Sequence, residues 1–281
     1  MALFLLAEDG MMKRIEIEGL TRDYGGGKGV FDLSLAIEEG QIYGFLGPNG
    51  AGKTTALRHL MGFLRPRTGR VLIDGQDCFR NRDSIQREVG YVAGEISFLA
   101  GMTGKEYLDF IGRYRGGRSE RKQELLDRFE LATGGKIRKM SKGMKQKLGI
   151  VAAWMHDPQI LILDEPTGGL DPLMQRSFIE LLREEKERGK TILLSSHLFE
   201  EVEQTCDRIG MIRGGRLVAN DTAEALRSRH TRTYQVELAD EQLAAAFAAD
   251  FNGSRDGRTV TLTAAHDLEK IFMQYYGGEV K

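Results

Sequence analysis

Gly47-Pro48-Asn49-Gly50-Ala51-Gly52-Lys53-Thr54 decides the fold. It fits the pattern G-x-x-x-x-G-K-[ST], whose glycines let backbone N–H groups converge on phosphate oxygens. In that reading Lys53 reaches the β- and γ-phosphates of a nucleotide, and the Thr54 hydroxyl is a ligand for Mg²⁺. The context is the one the pattern requires. Gln41–Leu46 is a short apolar run that reads as a buried strand. Thr54–Phe63 reads as a helix whose N-terminus points at the same anion. Gly47, Pro48, Asn49, Gly50, Ala51, Gly52, Lys53, Thr54 and Thr55 are therefore candidate nucleotide-binding residues.

Further along, Ile160–Leu163 and Thr191–Leu194 are continuous apolar runs of the kind found in strands buried on both faces. Helical patterns lie between the runs. Strands alternating with helices predict an α/β fold around a mostly parallel sheet. The first of these strands ends in Asp164-Glu165. Asp164 at a strand end suits Mg²⁺, and Glu165 is then placed to orient or deprotonate a water attacking the γ-phosphate. The second ends in Ser195-Ser196-His197. Taken alone, His197 reads as a hydrogen-bonded histidine near a helix start. Where strand ends converge on one crevice, it faces the γ-phosphate.

The rest of the chain is organised around this core. Arg14–Glu18 and Leu33–Ile37 alternate like strands and predict an N-terminal antiparallel β portion. Lys105–Tyr114, Ser119–Leu131 and Ser141–Met155 predict a helical insertion over about residues 90–155. After Arg227 the pattern changes. Thr233–Leu238 and Arg258–Thr263 read as strands, and Asp240–Ala249 and Asp267–Tyr276 as helices. The expected organisation is a nucleotide-binding domain over 13–227 and a small α+β appendage over 228–281. The appendage regulates, dimerises or caps the sheet.

Composition narrows the function. The 281 residues carry 40 basic and 41 acidic side chains, so no global basic field advertises nucleic acid. Two cysteines are too few for a disulfide framework and fit a reducing compartment. No apolar run reaches the ~20 residues a spanning helix needs. Met1–Ala7 lacks a basic flank and a cleavage site, so it reads as a loose start rather than a signal peptide. The chain is expected to be soluble or peripheral, with any membrane role supplied by a partner.

The segment from Met140 to Lys147, Met140-Ser141-Lys142-Gly143-Met144-Lys145-Gln146-Lys147, makes the reading more specific. It resembles the signature segment, usually L-S-G-G-Q, of the ATP-binding subunits of ABC transporters. The resemblance covers about Lys13 to Arg227 and is closest to separate-chain, export-type subunits. It implies a P-loop NTPase core with ATP and Mg²⁺ as cofactors. It also implies a head-to-tail dimer in which Ser141 and Gly143 serve the partner's nucleotide. It makes Tyr24 the aromatic that stacks on adenine, Asp171 the acid of the interface-crossing segment Pro166–Asp171, and His197 the switch histidine. One departure stands out. The family's glutamine between core and insertion is replaced by Gly94, which offers no side chain to metal or water, with Glu95 one residue on.

The resemblance implies an ATPase driving a separate membrane-spanning permease, with a second ATP-binding subunit, a homodimer being favoured, and no nucleic acid. Its expected location is cytoplasmic, peripheral on the inner face of the cell membrane through the permease. Two rivals stay open: a soluble ATPase of the same type acting on nucleic acid or the ribosome, and a regulator that binds ATP without hydrolysing it. A partner's cytoplasmic helix is expected to dock near Glu95, Phe98, Leu99 and Tyr107. The alternative is that Phe98 and Tyr107 fill the insertion's own small core.

Overall fold

The computed structural model describes residues 12–99, 101–116, 119–225 and 232–264. The loose start expected at Met1–Ala7 and the helix expected at Asp267–Tyr276 lie outside the described residues. The chain divides into two compact units, Met1–Asp221 and Thr222–Lys281. The sequence places the join later, after Arg227.

In the first unit, β1 (Lys13–Asp23) lies between β2 (Gly29–Glu38) and β4 (Thr68–Ile73), and β5 (Gln76–Asp77) closes this sheet. Both pairings of β1 are antiparallel, with Ile15 opposite Ile37 and Ile73, and Ile17 opposite Leu35 and Val71. One apolar face results, and these side chains are buried. That face shares a core with α1 (Lys53–Leu60) through Leu57 and Leu60, and with the central sheet through Phe45 and Ile162.

The central sheet runs β10 (Arg216–Thr222), β9 (Arg208–Arg213), β3 (Ile42–Leu46), β8 (Thr191–Ser196), β7 (Ile160–Asp164), β6 (Val89–Val92). From β9 to β6 every neighbouring pair is parallel. Every residue of β7 and β8 is buried, as expected for strands covered on both faces. The register sets the site: Leu46 lies beside Ser196, and Asp164 beside Ser195. The ends of β3, β8 and β7 thus open on one crevice.

α2 (Arg82–Glu88) leads into β6, and the helical insertion follows. It holds α3 (Gly104–Arg115), α4 (Ser119–Arg128), a 3₁₀ turn (Ile137–Lys139) and α5 (Lys142–Trp154). Thr103 and Glu106 close α3 with a reciprocal capping box. The expected start of the insertion at residue 90 is corrected, because Val89–Val92 pair in parallel with Ile160–Leu163 and belong to the core. α6 (Pro172–Glu187), capped by Asp171, and α7 (Phe199–Thr205) complete the unit. Trp154 of α5 meets Phe178 of α6 edge-on at 5.9 Å, which ties the insertion's last helix to the core.

The second unit holds β11 (Arg232–Glu237), α8 (Glu241–Asp250), β12 (Ser254–Asp256) and β13 (Thr259–Ala264), with β13 central in an antiparallel sheet. Leu238, Ala244, Phe247, Val260 and Leu262 make its core. This is the α+β pattern expected of the appendage.

Candidate active site

The loop Gly47–Gly52 joins β3 to α1. Gly50 and Gly52 have φ of +80° and +112°, left-handed values that favour glycine. A Cβ on Gly52 would stand 2.8 Å from the Gly29 carbonyl oxygen. The loop therefore needs glycine for both conformation and space. Around it lies an open pocket of about 380 Å³, lined by Tyr24, Lys28, Gly29, Pro48–Thr55 and Glu165. Gly47 is not in the lining, but its carbonyl, with that of Pro48, accepts from Lys53 Nζ at 2.5 and 3.3 Å. Tyr24 is 52% exposed at the rim, with the Arg22 guanidinium 5.2 Å from its ring centre.

The second half of the site comes from the neighbouring strands. Lys53, almost fully buried, pairs with Glu165 Oε1 at 3.2 Å. The other oxygen of Glu165, Oε2, lies 3.1 Å from His197 Nδ1. Glu165 takes a left-handed φ of +47°, unusual for a side chain with a Cβ. The conformation turns the chain directly after β7. The Glu165 N–H donates to the Ser195 carbonyl at 3.1 Å, and its own carbonyl accepts from Gly168 N–H. The strain is thus held by backbone bonds at a residue whose carboxylate bridges a lysine and a histidine.

Asp164 is 1% exposed and satisfied by two hydroxyls. Thr54 donates to its Oδ2 at 2.8 Å and Ser195 to its Oδ1 at 2.5 Å. Thr54 and Asp164 offer hard oxygens side by side next to the phosphate loop. Mg²⁺ characteristically takes one or two protein oxygens and fills its octahedron with phosphate and water, so this donor pair fits it. Gly94 stands against the same carboxylate, where a Cβ would lie 3.2 Å from Asp164 Oδ2. Glu95 is exposed.

Ser141 and Gly143 do not line the pocket of their own chain. Ser141 caps α5, accepting from Met144 N–H at 3.2 Å. Gly143 packs so closely that a Cβ would fall 2.7 Å from the Gly169 carbonyl oxygen. The buried Gln146 donates to the Pro166 carbonyl at 2.7 Å. The start of α5 is therefore seated on the turn that follows Glu165. Sequence reasoning gave no role to Ser195, Lys28, Gly29 or Gln146. Only Gly29 carried a signal, as the last of the glycines that follow Tyr24; its φ is +141° and a Cβ would overlap the Arg22 carbonyl oxygen at 1.9 Å.

A glycine-rich phosphate loop between a parallel strand and a helix, with Asp164 and Glu165 at the end of β7 in the same sheet, defines a P-loop nucleoside triphosphatase. The family model described as "ABC transporter" matches residues 30–168. The chain is 37% identical over 235 residues to the bacitracin transport ATP-binding protein BcrA of Bacillus licheniformis, covering 82% of this chain and 76% of that one. It is 36% identical over 220 residues to the daunorubicin resistance ATP-binding protein DrrA3 of Streptomyces coeruleorubidus, covering 76% and 70%. Among solved structures, it is similar to an ATP-binding subunit of an ABC transporter, with a TM-score of 0.71 and 30% identity over 77% of this chain and 92% of that one. A dimeric bacterial ABC transporter cassette gives 0.67 and 25%, over 74% and 98%. The chain belongs to the ATP-hydrolysing, ATP-binding proteins of ABC transporters.

Proposed function

We propose that the chain, through residues 13–227, hydrolyses ATP with Mg²⁺ in this cradle, pairs head-to-tail with a second copy, and drives a separate membrane-spanning permease in export. The observation that carries the reading is the meeting of Lys53, Thr54, Asp164, Glu165 and His197 at one set of strand ends. The loop's N–H groups and Lys53 hold the β- and γ-phosphates, while Tyr24 stacks on the base. Thr54 and Asp164 would hold Mg²⁺, which would supply positive charge against the negative charge of the phosphates. Glu165 accepts the proton of the attacking water or orients it, and His197 fixes that carboxylate and faces the γ-phosphate.

Ser141 and Gly143 lie outside the pocket of their own chain, so they are assigned to the partner's nucleotide. A dimeric cassette among the similar structures supports that pairing. Export is supported by relatives named for bacitracin transport and daunorubicin resistance. The same names, with near-zero net charge, favour this reading over action on nucleic acid. Among the described residues no helix is long and apolar enough to cross a membrane, which fits a subunit held to the inner face of the membrane by its permease. The permease would dock where Leu99 is 50% exposed, beside Phe98, which packs edge-on against Tyr107 at 5.0 Å. The test is Glu165→Gln. Turnover is expected to fall about a hundredfold or more, the usual worth of a positioned general base, while ATP binding is kept. Turnover at the wild-type rate would remove Glu165 from the mechanism.

A further inference from the structure

The base end of the cradle rests on a glycine turn. β1 ends at Asp23, and Tyr24 is followed by Gly25, Gly26 and Gly27, whose φ values of +89°, +61° and +75° are all left-handed. A Cβ added to any of these glycines would meet nothing within 4 Å. Local bonds close the turn: Tyr24 N–H donates to the Lys28 carbonyl at 2.8 Å, Lys28 N–H to the Gly25 carbonyl at 3.2 Å, and Gly25 N–H to Asp23 Oδ1 at 2.7 Å. These bonds fix the backbone but not the ring of Tyr24, about half of whose surface is exposed. A stacking platform binds a base best when its ring is oriented before the base arrives, because the cost of ordering it is then already met.

Arg22 supplies that orientation. Its guanidinium carbon lies over the Tyr24 ring, 5.2 Å from the ring centre, within the reach of a cation–π contact. The other arginines of this sheet are paired with acids, Arg14 with Glu39 and Asp74, and Arg70 with Glu18. Among the described residues no carboxylate pairs with Arg22, whose Nε is buried without a hydrogen bond. Asp23, the acid beside it, is turned to Gly25 N–H instead. His59 of α1 is also near. Burial lowers its pKa and the Arg22 charge lowers it further, against the Thr55 carbonyl 2.8 Å from Nδ1. A neutral histidine there does not repel the guanidinium. Arg22 does not line the nucleotide pocket, whereas Tyr24 does. We propose that Arg22 positions the nucleotide base: its guanidinium holds one face of the Tyr24 ring, so that the other face meets the base already oriented. The proposal rests on the reading of Tyr24 as the stacking aromatic. It makes Arg22 a positioning residue that acts through this ring rather than on the phosphates.

The test is equilibrium binding to the full chain, with Mg²⁺ present, of ATP and of inorganic tripolyphosphate, which has the phosphates but no base. Arg22→Met keeps an apolar stem and removes the cation. It is expected to weaken ATP binding about two- to fivefold, the worth of an exposed cation–π contact. Tripolyphosphate binding and the melting temperature stay as in the wild type. Arg22→Lys, which keeps a cation, recovers most of the ATP affinity. In a Tyr24→Ala background Arg22→Met has no further effect, because the ring it acts through is gone. If Arg22→Met melts early, Arg22→Gln is judged by the same ratio of ATP to tripolyphosphate affinity. Wild-type ATP affinity in Arg22→Met, where Tyr24→Ala has lost affinity, overturns the proposal and leaves the stacking role of Tyr24 standing. An equal loss for ATP and tripolyphosphate, or a loss that persists in the Tyr24→Ala background, overturns it too. Tyr24→Ala that binds ATP as tightly as the wild type removes the stacking reading itself, and the proposal with it.

Discussion

His156 is a basic side chain that the fold keeps neutral. Burial, with Arg115 and Lys190 near it, pushes its pKa down to about 4, against about 6.5 for an unfolded histidine. Between those values the unfolded chain binds a proton that the folded chain refuses. This residue's contribution is therefore fully present above about pH 6.5 and is lost as pH falls towards 4. His156→Leu is expected to shrink the stability difference between about pH 7 and about pH 5 by on the order of 1–2 kcal/mol, read by urea unfolding. An identical pH slope in the variant would show that His156 is not held neutral. At this scale the sequence was readable where chemistry is contiguous. Lys53 and Thr54 stand in one motif and Asp164-Glu165 end one apolar run, and the fold brings the two pairs into contact. Ser195 was not readable, because its hold on Asp164 comes from strand register between residues distant in sequence.

The insertion's α4 is tied to the core's α6 through charge rather than apolar packing alone. Glu185 of α6 is fully buried and meets Arg121 of α4, Arg188 and Lys190. Lys190 and Arg188 also share Asp157, and Arg128 of α4 reaches Glu184 at 2.6 Å. Removing one member of a buried set strands the others without a partner. Glu185→Ala is expected to destabilise the chain by about 3–5 kcal/mol, with little change on adding salt, because buried pairs are weakly screened. Urea unfolding at low and high ionic strength reads both, and a loss below about 1 kcal/mol would mean the network adds nothing beyond surface pairs. Elements were legible where periodicity was long. The helices at 104–115 and 142–154 carry amphipathic or capped patterns, with Thr103 and Ser141 as caps. β6 was absorbed into the insertion because Val-Gly-Tyr-Val is too short to declare a period. It is a strand because β7 offers it a parallel edge. β4 was unread for a related reason: its first half is exposed, and only Val71 and Ile73 are buried in the core.

Among the described residues one phosphate pocket stands with a second anion-attracting helix start, at Ser141, that does not line it. A two-fold axis makes both useful at once, since each copy's α5 can face the other's cradle. ATP would then lie between subunits and act as part of the interface, so association must follow nucleotide occupancy. With hydrolysis blocked by Glu165→Gln, adding ATP and Mg²⁺ is expected to convert a 31.4 kDa monomer into a species of twice that mass, measured by light scattering. Ser141→Asp in that background separates the two roles of the residue. Aspartate caps a helix as well as serine does, so α5 and the melting temperature are kept. It also aims a carboxylate at the partner's γ-phosphate, and like charges at that distance repel. The expected outcome is unchanged ATP binding by each monomer and no dimer. Dimerisation that survives Ser141→Asp would mean that the signature does not meet nucleotide across the interface. A chain that stays monomeric with saturating ATP in the Glu165→Gln background would mean that the second cradle belongs to a different subunit.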